Sequence, residues 1–182
     1  MRPALRLALT AAVAGLAVLA LGHWVARPYR VMSASMEPTL HCPRGTPNCL
    51  GGSADTVLVN RLARHPGRGQ VVVVKLPAAA ARRCGAPSTL VKRVVGLPGE
   101  TVSERDGVVS VDGRALPEPY VDLFHRDHAP GGRWRVPRGD YFVLGDNRGD
   151  SCDSRTFGAV AQENIVGKAV AIVWPPGRIH SL

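Results

Sequence analysis

Serine and lysine are the residue types in this sequence whose spacing could carry out chemistry. A serine hydroxyl is a poor nucleophile until a base removes its proton, and histidine is the usual base. His23 lies in an apolar run and His180 near the C-terminus, and the others stand in loops rich in proline, glycine and arginine: His41, His65, His125 and His128. The G-x-S-x-G motif of many serine hydrolases is absent. The sequence therefore does not indicate a serine–histidine pair.

A lysine can replace histidine as the base when burial among apolar groups lowers its pKa. The only lysines are Lys75, Lys92 and Lys168, and every other strong cation is an arginine, which does not release its proton. If the stretch around Lys92 is a β-strand, its side chain shares an apolar face with Leu90 and Val94. Such a face suits a neutral lysine. The alternative is a lysine at a strand edge whose amine reaches water.

Three short stretches combine these residue types with charged neighbours. The nucleophile stretch is SASMEPTL at residues 33–40, the lysine stretch is KRVVGLPGE at residues 92–100, and the closing stretch is GDNRGDSCDSR at residues 145–155. Charges of opposite sign in the closing stretch predict a salt-bridged loop, whose members are Asp146, Arg148, Asp153 and Arg155. Such a loop can hold a nearby hydroxyl group in place.

Taken together and in this order, the three stretches resemble the conserved boxes of bacterial type I signal peptidases, the serine–lysine membrane proteases of the S26 family. The segment QVVVVK at residues 70–75 resembles the intervening strand box, although Gln70 stands where that box usually has an acidic residue. The resemblance covers most of residues 28–174. One such stretch alone would be suggestive, whereas all three in order are highly specific.

The resemblance implies a role for each matched side chain. Ser35 is the expected nucleophile, and Lys92 is the expected general base, which takes the serine proton and returns it to the leaving amine. Ser33 matches the serine whose hydroxyl forms an oxyanion hole with the Ser35 backbone N–H. Ser151 matches the hydroxyl that hydrogen-bonds and orients the lysine. The four charged residues of the closing stretch match a structural network.

The implied function is removal of signal peptides from exported precursor proteins, after sites with small residues at −3 and −1 such as Ala-x-Ala. The substrate is expected to bind in an extended form against strand edges. No metal or organic cofactor is implied. Two alternatives remain: a specialised S26-type maturation peptidase for a dedicated substrate, and a non-catalytic, membrane-anchored peptide-binding module. The sequence does not indicate an oligomeric state.

The N-terminal segment predicts a membrane anchor. Residues 7–26 are apolar apart from Thr10 and His23, close to the roughly 20 residues that a spanning helix needs. A cleavable signal peptide and a buried core helix are the alternatives. We therefore predict an anchor over residues 1–27 and a catalytic domain over residues 28–182. The expected location is the bacterial cell membrane, single-pass, with the catalytic domain on the extracytoplasmic side.

The remainder of the chain predicts a mainly β fold: a compact, barrel-like antiparallel sheet with a small β insertion at about residues 103–140. Six segments read as strands, at residues 56–60, 70–75, 89–95, 107–111, 141–144 and 165–173. Two Asp-Gly pairs, Asp106-Gly107 and Asp112-Gly113, predict tight hairpin turns. Prolines and glycines between short strands favour this architecture over a helical one.

The four cysteines predict two disulfides. Cys42 and Cys49 enclose a short loop just after the nucleophile stretch, which fits an oxidising exterior. Cys84 and Cys152 can pair if both converge on the site. Zinc binding is a weaker interpretation, because the spacing of the first pair is poor for a zinc knuckle.

The net charge of +9 does not indicate nucleic-acid binding. The arginines are scattered and no aromatic stacking platform accompanies them. Attraction to anionic lipid headgroups is the expected consequence of this charge.

Overall fold

The computed structural model describes Val13, Gly22, residues 24–127 and residues 131–182. Twelve strands occur there: β1 (Ala26–Arg30), β2 (Thr56–Asn60), β3 (Val71–Lys75), β4 (Thr89–Gly96), β5 (Thr101–Arg105), β6 (Val108–Val111), β7 (Arg114–Ala115), β8 (Gly132–Arg135), β9 (Asp140–Leu144), β10 (Val160–Ala161), β11 (Ile165–Trp174) and β12 (His180–Ser181). Two short helices accompany them, α1 (Ala78–Cys84) and α2 (Ser154–Phe157). The fold is mainly β, as predicted.

The larger of two antiparallel sheets carries the candidate site. Its strands follow the order β1-β2-β11-β3-β4-β9-β10, and β12 pairs with β11. Strand β11 therefore lies between two earlier strand pairs: β1 with β2, and β3 with β4. The first pair leads into and out of the nucleophile stretch, and the second carries Lys92. Backbone pairing through β11 joins these two halves.

The four valines of β3 are buried on both faces of this sheet, as the continuous apolar run predicted. Val71 and Val73 pack in one apolar cluster with Ala34 and Met36. Val72 and Val74 pack in a second cluster on the opposite face, with Leu90 and Val94 of β4. Burying one valine side chain stabilises a fold by about 1.5–3 kcal/mol, so β3 is a major source of the sheet's stability.

The second sheet is the smaller one, with the order β7-β6-β5-β8. Both predicted Asp-Gly turns are present, and all four of their residues have positive φ, which the Asp-Gly sequence tolerates: Asp106 at 51°, Gly107 at 72°, Asp112 at 48° and Gly113 at 79°. One face of this sheet packs on β9, where the rings of Trp134 and Phe142 lie 5.2 Å apart. The sheet spans Thr101 to Arg135, close to the segment predicted as an insertion.

The structure differs from the sequence prediction at two places. Helices α1 and α2 occur in a part of the chain where only strands were predicted; α1 is rich in alanine and ends at Gly85 in the left-handed conformation. Strand β1 begins at Ala26, inside the segment 1–27 assigned to the anchor. Most of that predicted anchor lies outside the described residues, and no helix within the described residues is long and apolar enough to cross a membrane.

Candidate active site

The nucleophile stretch forms a tight turn directly after β1. Residues Ala34–Met36 make one turn of 3-10 helix, and all three are buried. Asn147 of the closing stretch holds this turn from outside, because its backbone N–H donates to the Ser35 carbonyl at 3.2 Å and its side-chain amide donates to the Ala34 carbonyl at 3.2 Å. The backbone around Ser35 is therefore fixed by a loop more than a hundred residues away in the chain.

Ser35 and Lys92 are in direct contact. The Lys92 Nζ lies 2.5 Å from the Ser35 Oγ, within hydrogen-bond distance, and the Ser33 Oγ lies 3.2 Å from the same Ser35 oxygen. Ser35 is 7% exposed and Lys92 is 2% exposed, whereas Ser33 faces solvent. A hydroxyl group hydrogen-bonded to an amine can lose its proton to that amine once the amine is neutral.

Burial controls the protonation of Lys92. The residue lies on β4 opposite Val72, with Leu90 and Val94 buried on the same face, as the alternation predicted. Desolvation lowers the pKa of Lys92 from 10.5 to about 8, although the negative charges of Asp153 and Asp146 oppose the shift. The predicted apolar environment of this lysine is confirmed.

The activity should depend on pH through this amine. Only the neutral amine can accept the serine proton, so kcat/KM is expected to rise as the pH increases through about 8 and then to level off. The titration can be followed independently by NMR of labelled lysine side chains, because Lys75 and Lys168 give the only other lysine signals. A kcat/KM that stays constant across this pH range would contradict the role of Lys92.

The described histidines contact other groups. His41 pairs with Glu37 at 2.5 Å, His65 with Gln162 at 3.0 Å and His125 with Asp122 at 2.6 Å, while His180 contacts the Arg178 carbonyl. None of these contacts includes Ser35. His23 and His128 lie outside the described residues.

Ser151 is close to the site but is not bonded to Lys92. Among the described residues the Ser151 Oγ has no hydrogen-bond partner, although it is buried. It packs against Gly145 instead, on the side where Gly145 faces the Ser35 carbonyl. The hydrogen bond predicted between Ser151 and Lys92 is therefore not formed in this structure. Its orienting role remains a prediction, as does the oxyanion role of Ser33.

The close packing at Gly145 gives a second prediction. A Cβ atom at this position would overlap both the Ser35 carbonyl and the Ser151 side chain, so Gly145→Ala is expected to displace the nucleophile turn and lower kcat by tenfold or more. Gly52→Ala is the matched control, because a Cβ there meets no atom within 4 Å. Cleavage of a peptide substrate measures both. Equal activity in the two variants would contradict the prediction.

Four charged residues of the closing stretch are in ion pairs, with partners both inside and outside the stretch. Asp153 pairs with Arg155 within it, at 2.9 Å, and accepts the Gly145 N–H. Asp146 instead binds Arg93, and Arg148 binds Glu118, both through two hydrogen bonds. The predicted salt-bridged loop is present, and Arg93 and Glu118 from outside the stretch help to hold it.

Both predicted cysteine pairs are joined in the structure. The Cys42–Cys49 disulfide closes the loop behind the nucleophile stretch, and Asn48 in that loop donates to Asp150 at 2.9 Å. The Cys84–Cys152 disulfide connects α1 to the closing stretch. Cys84 thus reaches the site from a helix and not from a strand.

Two buried carboxylates that the sequence analysis missed support the nucleophile stretch. Glu37 is fully buried and accepts the backbone N–H groups of Cys42 and Leu50. Asp55 is also fully buried and binds Arg178, which in turn donates to the Thr39 carbonyl at 3.1 Å. For Glu37, the sequence offered one signal, its position directly after the Ser-Met pair of the nucleophile stretch. For Asp55, nothing in the local sequence indicated a buried, ion-paired carboxylate.

One cluster among the described residues has the composition of a metal site. It consists of Glu37, Cys42 and Cys49. The two sulfur atoms are bonded to each other and offer no thiolate, and one Glu37 oxygen is occupied by backbone N–H groups. These residues therefore do not fit a zinc ion.

A serine in hydrogen-bond contact with a buried lysine, on a mainly β scaffold, is the arrangement that a serine–lysine hydrolase requires. The family model described as "Signal peptidase, peptidase S26" matches residues 4–174. The chain therefore belongs to the S26 signal peptidase family.

Several known proteins are similar over most of their length. Signal peptidase I of Leptolyngbya laminosa is 36% identical over 91% of this chain and 78% of that protein. Signal peptidase I T of Bacillus subtilis is 32% identical over 90% of this chain and 81% of that protein. A crystal structure of a signal peptidase I from Enterococcus faecalis is 31% identical, covers 58% of this chain and 97% of its own, and superposes with a TM-score of 0.47.

Proposed function

We propose that this protein is a signal peptidase that cleaves secretory precursor proteins with a Ser35–Lys92 pair. The observation that carries the proposal is the 2.5 Å contact between the Lys92 Nζ and the Ser35 Oγ in a site where burial keeps the lysine pKa low. Family membership and the names of the relatives support the same activity.

The reaction follows from the positions of these atoms. Neutral Lys92 takes the hydroxyl proton while the Ser35 Oγ attacks the carbonyl carbon of the scissile peptide bond. The Ser35 N–H and the Ser33 hydroxyl, whose oxygen lies 3.2 Å from the nucleophile, stabilise the negative oxygen of the tetrahedral intermediate. The C–N bond then breaks, and Lys92 donates its proton to the leaving amine. A water molecule, deprotonated by the same amine, hydrolyses the acyl-enzyme and releases the serine.

Ser151 and the charged network have supporting roles in this proposal. Ser151 lies against Gly145 beside the Ser35 carbonyl, and in this proposal its hydroxyl orients the lysine. Asp146, Arg148, Asp153 and Arg155 keep the closing stretch folded over the nucleophile turn. This packing holds the reacting groups at attack distance before the substrate arrives.

We also propose a location for the protein, at a membrane. The apolar run at residues 7–26 serves as a single spanning anchor, and β1 leads from it to the nucleophile turn within a few residues. Ser35 then lies close to the membrane surface, where the end of a signal peptide emerges. The two disulfides favour the extracytoplasmic side, because such bonds persist in oxidising compartments.

The function is tested with the full chain in detergent and a secretory precursor whose signal peptide ends in Ala-x-Ala. We expect one cut, directly after the last alanine, verified by N-terminal sequencing of the product. The same precursor with phenylalanine at −1 is the control and should stay intact. Absence of cleavage in the first precursor would contradict a general signal peptidase and favour the specialised maturation peptidase.

A further inference from the structure

The segment at residues 118–120 reaches from the second sheet to the candidate active site. It follows β7 and carries two side chains that contact arginines beside the reacting groups. The guanidinium carbon of Arg93 lies 4.0 Å from the centre of the Tyr120 ring. Glu118 binds Arg148 through both oxygens, one at 2.9 Å and the other at 2.5 Å. The Tyr120 hydroxyl also donates to Glu118 at 3.1 Å, so the two residues act as one unit.

Arg93 connects Tyr120 to the electrostatic environment of the lysine. It follows Lys92 on β4 and binds both oxygens of Asp146, at 2.8 and 2.5 Å. Asp146 is fully buried, and its charge is one of those that raise the pKa of Lys92. The other charged groups that act on this amine are Asp150, Asp153 and Arg155, all from the closing stretch. When Arg93 is held in place, it partly neutralises the negative charge of Asp146 and so limits the effect of that charge on the pKa of Lys92.

Arg148 connects Glu118 to the backbone of the nucleophile turn. Its side chain is 1% exposed, and its Nε donates to the Gly145 carbonyl at 2.9 Å. Gly145 packs directly on the Ser35 carbonyl, so a shift of Arg148 is passed to the residue that carries the nucleophile. A buried guanidinium group keeps a single position only while its counter-charge is present.

We propose that Glu118 and Tyr120 are positioning residues for the Ser35–Lys92 pair, acting through Arg148 and Arg93. The inference rests on the proposed function and deepens it, because it gives the second sheet a part in catalysis. Among the described residues, no hydrogen bond joins either side chain to Ser35 or Lys92. Tyr120 keeps Arg93 on Asp146 through a cation–π contact with the guanidinium group. Glu118 keeps Arg148 on the Gly145 carbonyl by charge pairing.

Tyr120→Leu tests the first contact, since it removes the ring and retains an apolar side chain. We expect kcat to fall about tenfold with little change in KM, because in this proposal Tyr120 acts on the reacting groups through Arg93. Asp146 becomes less well compensated when Arg93 loosens, so the rise of kcat/KM is expected to move to higher pH, together with the Lys92 titration seen by NMR. Tyr120→Phe, which keeps the ring, should restore most of the activity.

Glu118→Gln tests the second contact and keeps the shape of the side chain. It should lower kcat with little effect on KM. Phe124→Leu is the matched control: it removes an aromatic ring from the same part of the chain, where Phe124 is 96% exposed. Thermal melting verifies that each variant is folded.

Three results would overturn the proposal. They are wild-type kcat in a folded Tyr120→Leu or Glu118→Gln protein, an unchanged Lys92 titration in Tyr120→Leu, and an equal loss of activity in Phe124→Leu. The NMR titration needs no substrate, so it separates this inference from the proposed function. If the wild-type protein cleaves no precursor but the Lys92 titration moves in Tyr120→Leu, the proposed function fails and the positioning by Tyr120 stands.

Discussion

Ser35→Ala and Lys92→Arg are each expected to lower kcat/KM on a precursor by at least about 10⁴-fold. The first removes the nucleophile that lies 2.5 Å from the lysine amine. The second keeps a cation at the position but prevents it from accepting a proton, because arginine stays protonated in proteins. Lys92→Ala should be equally inactive. Quantitative cleavage assays with purified full-length variants measure the loss.

A matched control and a double variant make this prediction specific. Lys75→Ala changes an exposed lysine at the end of the neighbouring strand β3 and should keep wild-type activity. The double variant Ser35→Ala/Lys92→Ala should be no worse than either single one, because the two groups act in the same step. Substantial activity in Lys92→Ala would refute the serine–lysine mechanism. The histidines would then have to be tested as alternative bases.

Loss of the Cys84–Cys152 disulfide is expected to destabilise the protein by about 4 kcal/mol. This bond closes a loop with a sequence separation of 68 residues, and cross-links across long loops restrict the unfolded chain most. The double replacement Cys84→Ser/Cys152→Ser should therefore lower the free energy of unfolding strongly. Denaturant titration of the variant beside the wild type measures the difference.

The second disulfide provides the comparison. Cys42–Cys49 has a sequence separation of only 7 residues, so the same entropy argument predicts about 2 kcal/mol for Cys42→Ser/Cys49→Ser. The larger loss should thus come from the pair that ties α1 to the closing stretch. A smaller loss from Cys84→Ser/Cys152→Ser than from Cys42→Ser/Cys49→Ser would contradict the prediction.

Much of the scaffold was predictable because it depends on local pattern. The valines of β3 and the alternation around Lys92 gave the buried strands, and the Asp-Gly pairs gave both hairpin turns. The nucleophile and lysine stretches were recognisable by their resemblance to the boxes of the S26 family. Each of these signals lies within a few neighbouring residues of the sequence.

The partners of the charged residues were not predictable, because they are brought together by the fold. The alternating charges of the closing stretch predicted ion pairs within it, whereas Asp146 binds Arg93 and Arg148 binds Glu118. The orientation of a single hydroxyl group is equally unpredictable from sequence. The Ser151 side chain packs on Gly145 and does not bond to Lys92 as predicted. The ion pair between Asp55 and Arg178 joins residues more than a hundred positions apart in the sequence.

The place of β11 between β2 and β3 has a consequence for biosynthesis. The two strand pairs that carry Ser35 and Lys92 have no backbone pairing with each other until residues 165–174 arrive. The sheet that carries the nucleophile and the base is therefore complete only after these residues have been synthesised. Until then, the contact between Ser35 and Lys92 lacks part of the backbone frame that surrounds it in the finished fold.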